Sequence, residues 1–291
     1  FMNIILSIAF MLACSFLIAC GTLLTKLIGN SSFGDGIHPI QIAYSRFFFG
    51  FIILLIISIF LKPKINVKNI NLHFLRSFFG IFGVSIWFTA ILYIPISDAT
   101  AINFLNPIFA MILAVFFLHE KVGVFRWTAA LISLIGGIIL IRPSYNLNVD
   151  PIALMCLLGA LSFGFEIICI KILSGKENVL NILLINNFCA SLFGLLLILY
   201  VFKLPSLYEV FALISVASFF IFGQFFFLNS IKRVDASFVI PFFYATLIFV
   251  TLLDFFIFKI FPDKISFLGS FLIILGGLII TYREIMFKNK K

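Results

Sequence analysis

The sequence predicts an all-α, polytopic membrane protein of ten transmembrane helices, arranged as two inverted five-helix repeats. Three observations predict it. The 291 residues are 63% hydrophobic and only 11% charged, against about 45–50% apolar and about 25% charged in soluble domains. Apolar runs of about 20 residues, the length that crosses a hydrocarbon core at about 1.5 Å per helical residue, recur from end to end. Landmarks in the first half also reappear, in order, in the second. Water cannot be the main solvent of such a chain, and no stretch is left over for a soluble domain.

The apolar spans read 3–26, 40–61, 71–93, 97–118 and 123–141, then 151–173, 179–201, 207–230, 236–259 and 264–282. Helices are expected because a membrane segment must satisfy its own backbone hydrogen bonds, and the period-2 alternation of outer-membrane strands is absent. Turn chemistry separates the spans at Gly34-Asp35-Gly36, Lys62-Pro63-Lys64, Arg142-Pro143-Ser144, Asp150-Pro151 and Phe261-Pro262-Asp263.

The formal charge of +9 arises from Lys and Arg in the short connectors. That distribution is a topology signal rather than a site for a polyanion, so no nucleic-acid partner is expected. With the N-terminus inside, Lys26, Arg46, Arg142, Lys203, Lys259 and Lys264 fall on the outer side. The remaining fourteen of the 20 basic residues fall inside, which places both termini in the cytoplasm.

The cysteines Cys14, Cys20, Cys156, Cys169 and Cys189 lie within apolar runs, without CxxC or metal-ligand spacing, and read as small core residues. Most of the 42 phenylalanines read as lipid-facing filler. Leu17-Ile18-Ala19-Cys20 before Gly21 looks like a lipoprotein cleavage box, but no Lys or Arg precedes it, so cleavage is not expected.

The repeat is read from ordered landmarks. Asp98-Ala99-Thr100 opens the fourth span and Asp235-Ala236-Ser237 the ninth; Phe116-Phe117 and Phe255-Phe256 follow, then Gly136-Gly137 and Gly276-Gly277. Lys26 and Lys171 close the first helix of each half. Five spans is an odd number, so residues 146–291 must insert upside down relative to 1–145. Inverted repeats let a transporter alternate about one central site.

Glu166 is the sharpest candidate residue, well inside the sixth span on a face with Ser162 and Cys169. A carboxylate there is expensive and normally faces a cavity or a partner. It can bind a substrate cation, carry a coupling proton, or make a structural hydrogen bond as a neutral acid. In the fourth span Ala99, Asn103, Asn106 and Ala110 share a helix face, and Pro107 frees the carbonyl near Asn103. Ser237, Pro241, Tyr244, Ile248 and Thr251 repeat that stripe in the ninth span. Both stripes are expected to line a cavity, with interhelical hydrogen bonding as the plainer alternative. Trp87, on a face with Ser77, Gly80 and Val84, can stack on an organic substrate or fill the core. Asn187, with Asn186, Gln224 and Asn229, adds amides within spans. Arg46 and Arg76, near span ends, read as interfacial anchors, and Asp254 as a residue near the outer surface.

These landmarks resemble the EamA family of the drug/metabolite transporter superfamily along nearly the whole chain. The residues that carry the resemblance are Arg46-Phe47-Phe48-Phe49, Leu75-Arg76-Ser77 leading to Gly80 and Trp87, Ser97-Asp98-Ala99-Thr100 leading to Pro107, Phe117-Leu118-His119-Glu120 and Phe261-Pro262-Asp263. Within the family the first half and the Phe-Pro-Asp corner look most like the S-adenosylmethionine uptake carriers. The second half departs: their Arg-Tyr-Leu-Glu stretch is replaced by Phe242-Phe243-Tyr244-Ala245, and a Glu by Ile260. The resemblance implies two EamA-like repeats, 1–145 and 146–291, and a secondary transporter of a small organic metabolite in a bacterial inner membrane. It implies a substrate such as S-adenosylmethionine; one intramembrane acid among amides and aromatics points likewise to an amino-acid-like zwitterion or cation, with Glu166, Trp87, Asn103, Asn106, Tyr244, Ser162 and Asn187 as the expected binding residues. The expected partners are a small-molecule substrate and the lipid bilayer, with the chain a monomer or weak homodimer.

No catalytic residue, cofactor or metal is expected. His38, His73 and His119 are scattered near span ends without a matching acid motif, and no repeated filter or charge ring suggests a channel. A non-catalytic membrane scaffold is the alternative class. It accounts for the helices but not for the paired polar, proline-bearing stripes.

Overall fold

The computed structural model describes residues 2–62, 68–119, 123–141, 150–174, 176–233 and 242–288, and within these the chain is helical apart from short connectors. Eleven helices are described: α1 Met2–Gly29, α2 Pro39–Leu61, α3 Ile70–Tyr93, α4 Ile96–Asn103, α5 Asn106–Leu118, α6 Val124–Ile141, α7 Pro151–Ser174, α8 Val179–Ile198, α9 Leu207–Arg233, α10 Ala245–Phe258 and α11 Lys264–Lys288. Since α4 and α5 share one apolar span, Ile96–Phe117, these make ten helical segments. Seven are long and apolar enough to cross a membrane, and three shorter apolar helices cover Trp127–Leu140, Ala245–Phe258 and Lys264–Ile279.

Local chemistry starts these helices where the turns predict. His38 Nδ1 accepts from the Ile40 N–H at 3.3 Å ahead of α2, with Pro39 at its first position, where a missing N–H is harmless. Asn178 caps α8 through the Asn181 N–H at 2.9 Å. At α9 a capping box forms: the Ser206 N–H donates to Glu209 Oε2 at 2.7 Å, and the Glu209 N–H to Ser206 Oγ at 3.3 Å.

The fourth span is not the single helix expected over 97–118. Pro107 has no N–H to offer the Asn103 carbonyl, so the chain tightens at Phe104–Leu105. The Phe104 N–H is shared between the Thr100 and Ala101 carbonyls at 3.0 and 3.1 Å, and α5 restarts on the Leu105 carbonyl. The seventh span ends its helix at Ile198, short of the expected 201. The opening of the ninth, including Ser237 and Pro241, lies outside the described residues.

Around this break the helices pack in definite pairs. Helix α7 lies against α3, α4 and α5; α1 against α9 and α10; α2 against α8 and α9; and α6 against α11. Two seams rest on missing side chains. A Cβ on Gly136 of α6 would sit 2.6 Å from the Gly269 carbonyl oxygen of α11, and one on Gly159 of α7 would sit 3.0 Å from Ile86 of α3. Large apolar side chains such as Phe60, Phe116, Leu196, Leu199 and Phe256 are more than half exposed. So apolar an exterior is stable against lipid rather than water. The chain is an all-helical, polytopic membrane protein.

Candidate functional site

The α3–α7 seam carries the buried charge. Ser162 of α7 donates to the Phe79 carbonyl of α3 at 2.8 Å, locking the two helices one turn below Glu166. The Glu166 carboxylate lies across Gly80, where a Cβ would stand 3.4 Å away. It faces Arg76, with Nε to Oε1 at 3.5 Å and side chains only 4% and 12% exposed. Arg76 Nη1 donates to the Ile182 carbonyl at 3.0 Å, and Ser77 Oγ lies 3.1 Å from Asn186 Oδ1, so α8 is tied to the same seam. Arg46 of α2 lies within electrostatic reach of the same carboxylate, its guanidinium 4.6 Å from the Phe47 ring centre and 4.5 Å from that of Phe220. Both arginines are buried, at 8% and 3% exposure. The expectation that they anchor at the interface is therefore corrected: their helices turn them inward, toward Glu166.

Trp87 stands further along α3, 6% exposed, packed edge-on to Phe163 and Phe220. Glu166, Ser162 and Trp87 thus share one seam with the unexpected Arg46 and Arg76. Asn103 and Asn106 flank the break in the fourth span, each half-buried. Helix α5 reaches α7 close to the acid, with Gly164 against Phe109. Tyr244 stands at the start of α10, edge-on to Phe104 at 5.1 Å, its ring against Gly277, so it meets the fourth-span break, whereas Ile248 of the same expected stripe is 61% exposed. Asn187 is used differently. Its amide nitrogen donates to the Leu183 carbonyl of its own helix at 2.8 Å, and its oxygen lies over Gly50 at the α2–α8 seam. A separate cavity of about 520 Å³ between α2, α8 and α9 is lined by Leu54, Leu183, Ile221 and Phe225, among others. It holds no charged residue and lies apart from this chemistry.

Both ends of the bundle carry a further buried tie. At one, Asp254 of α10 is fully buried and accepts from the Ile96 and Ser97 N–H groups at 2.7 and 3.3 Å, capping α4 from the other half of the chain, while Lys26 of α1 pairs with it at 3.6 Å. Asp98 accepts from Ser266 Oγ at 2.9 Å beside them. Asp254, expected near the outer surface, is instead sealed beneath it. At the opposite end Glu177, in the α7–α8 connector, meets His73 Nε2 at 2.9 Å, Asn69 Nδ2 at 3.0 Å and Asn181 Nδ2 at 2.5 Å. Lost hydration pushes the Glu177 carboxyl toward its neutral form. Because the group sits at the rim of the bundle, its donors Asn69, His73 and Asn181 outweigh that and hold it below the usual carboxylate range. A carboxyl depressed on folding contributes stability above its unfolded value, near 4.5, and loses it as pH falls through the lower folded value. Thermal unfolding in detergent should therefore show this contribution in full, with no pH dependence from the group, at neutral pH and above. An acid-side fall should begin below about pH 4.5 and be shallower in Glu177→Gln.

A lipid-facing helical bundle with a buried Arg–Glu–Arg cluster walled by aromatic rings fits a membrane transport protein. Its sequence matches the profile of the EamA-like transporter family twice, over residues 5–142 and 150–282. The chain belongs to the EamA-like transporter family. It is 30% identical over 272 residues to an S-adenosylmethionine uptake transporter of Rickettsia prowazekii, covering 93% of this chain and 92% of that one. It is 28% identical over 229 residues to a riboflavin transporter of Vibrio cholerae, covering 77% and 76%. A solved protein crystal structure shares the fold with a TM-score of 0.57 at 18% identity, over 92% of this chain and 96% of that one.

Proposed function

We propose that the chain is a secondary carrier of a small organic zwitterion in a bacterial inner membrane, working by alternating access about the seam that holds Glu166. The observation that carries this is the buried Arg76–Glu166 pair with Arg46 beside it. Charges of both signs so deep are costly unless a ligand or pathway uses them, and together they suit a substrate bearing both. The relatives support a metabolite of this size: S-adenosylmethionine is an amino-acid zwitterion with an added sulfonium and an adenine ring. Trp87, Asn103, Asn106 and Tyr244 would complete the lining, with Ser162 holding the seam and Asn187 the flank.

The inverted repeat rests on packing symmetry. Exchanging the halves maps the contact of α1 with α9 onto that of α7 with α3, and α1 with α10 onto α7 with α5, while α2–α8 and α6–α11 map onto themselves. Such exchange is what an inverted-repeat carrier requires. Reporters fused after Lys62 to Lys68 and at the C-terminus are expected in the cytoplasm, and one after Pro143 in the periplasm. Opposite locations for the first two would break this topology.

The function is tested by counterflow and uptake into proteoliposomes with radiolabelled S-adenosylmethionine, amino acids and riboflavin. Saturable movement of a zwitterion is expected. Selective transport of a polyanion such as a sugar phosphate overturns the substrate class, and no saturable movement of any compound favours a scaffold.

A further inference from the structure

Two buried groups near the seam have hydrogen atoms to give and nothing to give them to. Arg46 Nη1 and Trp87 Nε1 have no hydrogen-bond partner among the described residues, and their side chains are more than nine-tenths buried. Both pack on one ring: the Arg46 guanidinium lies 4.5 Å from the Phe220 ring centre, and the Trp87 ring stands edge-on to it at 6.1 Å. Guanidinium and indole N–H groups donate and never accept. Away from water an unmade donor is expensive, and most of all a charged one.

We infer that Arg46 and Trp87 form the receptor for the substrate's carboxylate, a planar acceptor seated between them against Phe220. Charge selects a carboxylate over a phosphate. Two guanidiniums and one carboxylate leave a single excess positive charge, which a monoanion neutralises and a phosphate dianion would overshoot. Geometry agrees, because a carboxylate presents two coplanar oxygens to a guanidinium fork. The aromatic walls of Phe220 and Trp87 leave the rest of the ligand an apolar, stacking surface. The Glu166–Arg76 pair then stands next to the ligand's cationic end. This deepens the carrier reading and rests on it for the word substrate, but the binding claim stands apart from translocation.

The test is equilibrium binding to the purified full-length chain in detergent, using pairs that differ in the carboxylate alone. Suitable pairs are S-adenosylmethionine and its decarboxylated form, L-tryptophan and tryptamine, and L-methionine and methioninamide. At least one pair should show a preference for the carboxylate member of roughly tenfold to a hundredfold. Arg46→Gln should erase that preference while leaving the affinity of the other member within about twofold, and Arg46→Lys should keep part of it. Trp87→Phe retains the ring but not the N–H, so it should reduce the preference several-fold; it carries the test if Arg46→Gln fails to fold. Absence of a carboxylate preference in every pair overturns the inference, as does equal weakening of both members in Arg46→Gln. Parallel vesicle assays separate the claims: carboxylate preference without translocation keeps the receptor and sinks the carrier, and translocation without preference does the reverse.

Discussion

Glu166→Gln, reconstituted and compared per amount of folded protein, is expected to bind its substrate at least about tenfold more weakly and to melt at lower temperature. The change keeps volume but removes the acid that, among the described residues, faces Arg76 and Arg46. Taking one partner from a buried pair typically costs about 3–5 kcal/mol, because the other charge is left uncompensated; the slight exposure of Glu166 places the cost toward the lower end. If the loss reflects that orphaned guanidinium, Glu166→Gln combined with Arg76→Gln recovers part of the stability, a non-additivity that a double-mutant cycle measures. Counterflow and gradient-driven uptake are expected to fall together. Collapse of gradient-driven uptake with counterflow intact would instead make Glu166 the carrier of a coupling proton. An unchanged profile in binding, transport and melting would remove it from the site.

Asp254→Ala is expected to destabilise the protein as much or more, although the residue touches nothing near Glu166. It leaves Lys26 buried without its salt-bridge partner, with Asp98 acting on it only through space, and strips the cap from the Ile96 and Ser97 N–H groups. Loss of a buried partner and loss of a cap, about 3–5 and about 1 kcal/mol, both fall on one side chain. Asp254→Asn retains an acceptor and should be milder, and Lys26→Met should partly rescue Asp254→Ala by removing the stranded charge. Thermal melting of the four purified proteins checks this ordering. Equal stability of Asp254→Ala and the parent would mean that the tie contributes nothing.

The helical segments were legible because such helices are set by local hydropathy and turn chemistry, which a single chain displays directly. Pro107 likewise marked the place where the fourth span breaks, though not that the break divides it into two helices. What the sequence could not display was the direction in which a residue faces across the bundle. Arg46 and Arg76 lie within two turns of their helix starts, where a long side chain equally well reaches the interface or turns inward; packing of α2 and α3 about α7 decides it. Asp254 pairs with Lys26 and caps Ile96, contacts that span most of the chain, so its span-end position alone suggested exposure. Asn187, a plausible lining residue by type, gives its amide hydrogen to its own helix and its oxygen to the Gly50 seam. The signal that would have found the arginines was electrostatic: a buried acid favours a cation beside it, and Arg46 and Arg76 are among the basic residues that lie within spans.

On the proposed alternating-access reading, the cluster also makes the protein an electrical device. With Glu166 ionised, two guanidiniums leave the empty site one positive charge in excess, and a charge crossing the full membrane field gains about 2.3 kcal/mol per 100 mV. In an alternating-access cycle the site traverses only part of that field, yet an inside-negative potential still draws the empty site toward the cytoplasmic-facing arrangement. A ligand with no net charge leaves that excess in place, and one with a net positive charge increases it. On that reading membrane voltage would act on the return of the unloaded carrier as well as on its cargo, and turnover in polarised vesicles would be set by whichever of the two journeys runs against the field.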